Sequence, residues 1–283
     1  MRARIAARRI AGDEDGLTLI ELLVVITTSI VVALALWAIQ DLTLRQTTRV
    51  FARVGGTQQA RLAMETIESR LHSACVSEGV TPVQQGSTAT SVSFISRYGS
   101  AARLTPEKHT IALNTGTGAL TDVTFPYTTG AAPNYQFSST ASQTRTLLDN
   151  ASAKPGTPVF RYFAYGVARD SSGNAYKDAA GNDYVMLLDG SSTLPNGLTT
   201  SGGSPVPAGT LPANSPTTLP TPLSAANARN TAGIAVTLVV GAAGGLGDNP
   251  RYTDERITVS NAVSLRLTPV PSDGPLQTVR PCA

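Results

Sequence analysis

The stretch Gly16-Leu-Thr-Leu-Ile-Glu21-Leu-Leu-Val-Val-Ile-Thr-Thr-Ser-Ile-Val-Val-Ala-Leu-Ala-Leu-Trp-Ala-Ile39 decides how the rest of the chain is read. Apart from hydroxyls and Glu21 it is apolar. Leu22 to Ile39 is uncharged, about 27 Å of helix at 1.5 Å per residue, close to the thickness of a bilayer's hydrocarbon core. Arg2, Arg4, Arg8 and Arg9 precede it, followed by Asp13-Glu14-Asp15. Basic residues on the N-terminal side predict an N-terminus in the cytoplasm and a body outside it.

An ordinary single-pass anchor accounts for everything here except Glu21. A secretory signal peptide is the other plain reading, and Ala33-Leu34-Ala35 offers a small-x-small cleavage site. The apolar stretch is nevertheless longer than the usual h-region of about 7–15 residues, and it carries a carboxylate near its start. A carboxylate within an apolar helix costs about 2.5–3.5 kcal/mol on insertion scales and less near the headgroups, so it needs a partner or a purpose. A cut between Gly16 and Leu17 would supply one. The new α-amine at the head of one helix could neutralise Glu21 of a neighbouring copy, and the need to leave neither charge unpaired would fix their axial stagger.

Gly16-Leu17-Thr18-Leu19-Ile20-Glu21-Leu22-Leu23-Val24-Val25 resembles the prepilin cleavage and methylation motif of type IV pilins, type II secretion pseudopilins and competence pilins. The resemblance implies cleavage after Gly16 by a prepilin peptidase, N-methylation of Leu17, and a role for Glu21 in assembly. Two positions depart from the common pattern: acidic residues precede Gly16, and the first mature residue is Leu rather than Phe. The motif covers about 25 residues of the chain and is specific, because it joins Gly, an apolar residue, a glutamate at fixed spacing and an unbroken apolar helix.

Beyond Gln40-Asp41 the helix is expected to continue to Cys75. The spacing Ala60, Met64, Ile67, Leu71, Ala74 forms an apolar stripe, with Arg61, Glu65, Glu68 and Arg70 mostly off it. Gly55-Gly56 predicts an interruption or bend. Leu17 to Cys75 would span about 88 Å, greasy all round in its first half and amphipathic in its second. Strand signals follow at Ser91–Arg97, Thr110–Leu113, Leu120–Tyr127, Pro158–Gly166, Tyr184–Leu188, Ile234–Val240 and Arg256–Leu267. Asn114-Thr-Gly-Thr-Gly, Ser172-Gly-Asn and Ala180-Gly-Asn read as turns between them. Leu194–Pro222 carries seven prolines among Ser, Thr and Gly and reads as a long exposed loop.

The expected fold class is therefore α+β. A leader occupies residues 1–16, and a long helix residues 17–75 with a transmembrane segment at 17–39. An extracytoplasmic, antiparallel β-rich domain fills residues 76–283 and contains loop 194–222. The segments Phe160–Gly166, Ile234–Val240 and Ile257–Leu267 are similar to those of larger minor pilins and J-type minor pseudopilins, whose extended helix packs on antiparallel sheets.

The remaining composition narrows the chemistry. Charged residues are only 14% of the 283, and Ser, Thr, Gly, Ala and Pro replace them. The basic residues are scattered, which predicts no nucleic-acid partner. His72 is expected on the amphipathic helix and His109 in a Lys-His-Thr turn, with no catalytic or metal-ligating pattern around either. Gly241-Ala-Ala-Gly-Gly-Leu-Gly247 looks like a phosphate loop, but Asp248-Asn249-Pro250 opens no helix after it, so a hairpin connection is the expectation. The acidic stretches Asp170–Asp183 and Asp248–Glu255 raise calcium as a hypothesis, yet neither fits the loop pattern of a calcium site, and no metal or other cofactor is predicted. Cys75 and Cys282 allow one pairing. Bridging them would close a loop of about 208 residues, worth about 5 kcal/mol on the loop-entropy model, and a buried free thiol at Cys75 is the alternative.

The functional expectation is a non-enzymatic minor pilin or pseudopilin. Its partners would be membrane lipid before assembly, the prepilin peptidase, an inner-membrane assembly platform and other pilin or pseudopilin subunits. The competing expectation is a secreted or anchored β-rich binding or adhesion protein that uses the apolar segment only as signal or anchor.

Overall fold

In the computed structural model the first helix, α1 (Leu19–His72), runs for 54 residues. The structure describes residues 18–74, 80–98, 105–130, 134–241 and 256–265. The chain divides into two compact units, one ending at Phe51 and the other beginning at Ala52, so that the division falls within α1. The helix passes through Gly55-Gly56 unbroken, which corrects the expected interruption. Two helical glycines cost about 1 kcal/mol each relative to alanine. Burial of the apolar stripe around them outweighs that cost.

In the first unit, α1 has apolar side chains on every face, with Leu19, Ile20, Val31, Leu36, Trp37 and Phe51 among those exposed. Its hydroxyls turn inward on the helix itself. Thr27 donates to the carbonyls of Leu23 and Val24, Thr28 to those of Val24 and Val25, and Thr43, Thr47 and Thr48 each to the carbonyl four residues back. That bonding satisfies the hydroxyl protons of these five threonines within the helix, which lowers their cost in an apolar setting. Farther along, Arg45 pairs with Asp41 at 2.7 Å.

In the second unit the helix buries Ala52, Gly56, Ala60, Ala63, Met64, Ile67 and Leu71, the stripe that the spacing marks, extended backward by two small residues. Two antiparallel sheets share that core. Sheet 1 joins β1 (Ser91–Tyr98), β2 (Thr105–Leu113) and β3 (Leu120–Thr129), with β4 (Gln136–Phe137) and β5 (Gln143–Leu148) both on β3. Sheet 2 has β9 (Thr231–Val240) at its centre. β10 (Ile257–Ser264) lies on one side of it, and β6 (Ala151–Ser152) and β7 (Phe160–Val167) on the other, with β8 (Val185–Leu187) outside β7. A short helix, α2 (Ala225–Asn230), is capped by Ser224 and leads into β9. The fold is thus α+β, with a long N-terminal helix and antiparallel sheets.

Every residue of β9 is buried, which is why Ile234–Val240 reads as a continuous apolar run rather than an alternating one. Its Ile234, Val236, Leu238 and Val240 share one core with Met64, Ile67 and Leu71 of α1, Val92 and Phe94 of β1, and Ile111 and Leu113 of β2. Tyr162 of β7 sits fully buried in this core and donates its hydroxyl to the carbonyls of Thr88 and Ser91, at 3.0 and 2.9 Å. It so ties sheet 2 to the start of sheet 1, and burial drives its phenol pKa far upward.

Residues 168–223 depart from the sequence expectation. Leu194, Leu198 and Val206 are buried in a second, smaller core with Ala168, Tyr176, Met186 and Leu188, so 194–222 is not a simple exposed loop. Its later part also runs beside β7, where Leu219 N–H donates to the Tyr162 carbonyl. Prolines and glycines exclude a long strand, but single leucines between the turns still find a common apolar centre.

Candidate functional site

Thr18 and Glu21 form a reciprocal cap at the head of α1. The Thr18 backbone N–H donates to Glu21 Oε2 at 3.0 Å, and the Thr18 hydroxyl donates to the same oxygen at 3.1 Å. In return the Glu21 N–H donates to Thr18 Oγ1 at 3.3 Å. This is the capping-box exchange, which satisfies donors that the first helical turn otherwise leaves open. It also places a carboxylate where the helix dipole is positive. Glu21 therefore has a partner within its own chain and remains exposed at the end of the helix. Gly16 and Leu17, the expected cleavage residues, lie outside the described residues, as do Cys75 and Cys282 of the possible disulfide.

Beyond this head, α1 offers a segment near the N-terminus long and apolar enough to cross a membrane, none of it buried among the described residues. It is a candidate membrane anchor or signal. No family model matches the chain, and searches of the curated proteins and of the solved structures find no match either. The functional reading therefore rests on this chain's own residues.

The histidines divide. His72, in the last turn of α1, lies half-exposed 3.6 Å from Glu68, as a helix-edge residue would. Glu68 also accepts from Asn261 of β10 at 3.1 Å. His109 is different, and the expectation of a surface turn is corrected: it lies inside β2 and is 1% exposed. Its Nδ1 is 2.9 Å from Asp122 Oδ1 and 3.4 Å from the Thr124 hydroxyl, and its ring stacks on Phe94 at 5.5 Å. Arg70 of α1 reaches the other Asp122 oxygen at 3.5 Å, and Glu107 lies 3.8 Å from His109 Nε2.

The β2–β3 turn makes this meeting possible. Asn114 Oδ1 accepts the N–H groups of Gly116 and Thr117, and Gly118 adopts φ +72° where a Cβ would stand 3.1 Å from the Ala151 carbonyl. That turn sets Leu113 opposite Leu120, hence His109 opposite Thr124 and Ile111 opposite Asp122, all facing α1. A one-residue slip would turn both polar side chains outward. Chemically the group is a closed one: His109 and Asp122 are both buried, and the arrangement fastens the last turn of α1 to sheet 1.

The acidic stretch Asp170–Asp183 folds into two copies of one turn, Asp170-Ser-Ser-Gly-Asn174 and Asp178-Ala-Ala-Gly-Asn182. In each, Asp Oδ1 accepts two backbone N–H groups at 2.8–2.9 Å and Oδ2 accepts the Asn side-chain amide. Gly173 and Gly181 both stand at φ +83°, a conformation that favours glycine. The bonds from Asn174 and Asn182 hold both carboxyls below the usual aspartate range. These oxygens serve the turns, which is the physical reason for the Asp–Gly–Asn spacing. Among the described residues no group of three or more His, Cys, Asp or Glu could hold a metal ion. The Gly-rich stretch 242–247 and most of Asp248–Glu255 lie outside the described residues.

Proposed function

We propose that this chain is a non-enzymatic, pilin-like subunit, a minor pilin or pseudopilin. It inserts with its N-terminus in the cytoplasm, is cut between Gly16 and Leu17, is methylated at Leu17, and joins a filament through α1. The observation that carries the reading is the pairing of a motif with a surface. In the sequence Gly16-Leu17 precede Glu21, and Glu21 opens a helix whose apolar side chains from Leu19 to Ile39 are exposed on every face among the described residues. A helix apolar all round is stable only in lipid or among other helices, and a subunit of this kind exchanges the first environment for the second. Its partners would be lipid, a prepilin peptidase, an inner-membrane assembly platform and other such subunits.

The carboxylate of Glu21 lies at the helix end, where it caps the first turn. It can take a neighbour's α-amine without leaving α1 short of a cap, because a carboxylate has about four acceptor sites and the cap uses only part of them. A secreted or anchored β-rich binding protein is the second reading, favoured by the self-sufficient cap, which gives Glu21 a purely local use.

Mass spectrometry of the chain from its native host separates the two. A mature N-terminus at methylated Leu17 is the expected result. Leu36 would mark signal-peptidase cleavage after Ala35, Met1 a plain anchor, and either would overturn the proposal.

A further inference from the structure

We propose that Glu21 and Asp41 mark the two faces of the lipid slab that α1 occupies, which places Val31 at the bilayer midplane and Glu21 at the membrane surface rather than in its apolar interior. This deepens the reading of α1 as a membrane-inserted helix and rests on it. The partner is a phospholipid bilayer, recognised by its thickness and by its two polar boundaries.

Each of the two carboxylates is held by a neighbour on the same helix: Glu21 by the Thr18 N–H and hydroxyl, Asp41 by Arg45 at 2.7 Å. Between them Leu22 to Gln40 carries no charge, and its Thr27 and Thr28 hydroxyls are spent on backbone carbonyls. Twenty helical steps separate Glu21 from Asp41, about 30 Å, which equals the hydrocarbon thickness of a typical bilayer. The competing register, Leu17 to Trp37, fits the same length but carries Glu21 about 6 Å into hydrocarbon. A boundary position is less costly for a carboxylate than an internal one. It also leaves Trp37, 69% exposed, about 6 Å beneath the far face in line with Asp41 and Arg45. A tryptophan just under the headgroups is a common interfacial anchor.

Trp37 is the chain's single tryptophan, so depth can be read without interference. The full chain is reconstituted in phosphatidylcholine–phosphatidylglycerol vesicles, with lipids brominated near the headgroup or near the chain ends. A tryptophan is then moved along the helix in a Trp37→Phe background through Val24→Trp, Thr27→Trp, Val31→Trp and Leu34→Trp. Deep bromines should quench position 31 most, with quenching falling on either side. A maximum at position 27 would overturn the bracket while leaving the membrane helix in place. No quenching at any position would remove the membrane helix as well. Replacing the far boundary with Asp41→Leu and Arg45→Leu extends the uncharged run to Thr48 and moves the first polar cluster to Gln46-Thr47-Thr48, which should shift the maximum by about two residues toward the C-terminus. An unmoved maximum would show that Asp41 sets no boundary.

Discussion

The two halves of α1 are built from one backbone and one rise per residue, yet they obey different rules. From Leu19 to Ile39 apolar side chains cover every face, and among the described residues none of them is buried. From Ala52 to His72 only a stripe is apolar, and both sheets lie on it. The second half belongs to a folded domain and owes its helicity to packing. The first half finds no such packing among the described residues, and the proposed function rests on what would cover it.

The contrast sharpens most where charge is buried in the second half. Asp122→Ala should remove about 3–5 kcal/mol of stability, because Arg70 and His109 then lose the carboxylate they share; denaturant unfolding of the full chain in mild detergent measures it. Leu71→Ala, at a position 1% exposed, should cost about 2–5 kcal/mol, whereas Leu36→Ala in the first half should leave the same unfolding curve in place. Equal losses at both positions would erase the distinction. Tyr162→Phe should cost about 1–3 kcal/mol by removing the hydroxyl bonds to both carbonyls; that of Ser91 keeps the Thr88 N–H at 2.8 Å, so the loss falls mainly at Thr88. At the helix head Thr18→Ala should cost about 0.5–2 kcal/mol of local helix stability, visible as faster amide exchange over the first turn only.

The smallest effect concerns the turns, which belong to neither half of α1. The carboxyls of Asp170 and Asp178 are held below their ordinary value of 3.8. Such groups stabilise the fold at pH above the unfolded value, and the contribution is lost as pH falls through 3.8 toward the lowered folded value. Acidification should therefore raise amide exchange at Asn174 and Asn182 before the α1 core opens. Exchange that rises everywhere together would contradict it.

The sequence made the two regimes of α1 legible because burial leaves a period in a helix, and the run Ile234–Val240 legible because a covered strand is apolar throughout. Other parts were hidden for physical reasons. β5, Gln143-Thr-Arg-Thr-Leu-Leu148, is a mostly exposed strand attached to β3, and its polar first four residues carry no core-facing signal. His109 reads as part of a turn because it stands in the polar run Lys108-His109-Thr110. The register set by the turn at Asn114–Ala119, which begins five residues away, carries it inside against Asp122. The paired Asp-x-x-Gly-Asn turns were visible as turns but not as a repeated, self-satisfying unit. The chain from Leu194 onward departs from its expected exposed loop because isolated leucines between prolines show no period, although the fold gathers Leu194 and Leu198 into one cluster. For the candidate site, the sequence marked Glu21, while its bond to Thr18 emerged only from the geometry.

Glu21→Gln tests the central claim most directly, since glutamine fills the same place in a capping box but carries no charge. With the proposed cut before Leu17 still found by mass spectrometry and the helix head still protected from exchange, the proposed assembly role predicts that the variant fails to cross-link into assemblies with other copies. Assembly at the level of the unaltered chain would contradict it, and would leave Glu21 as nothing more than a helix cap.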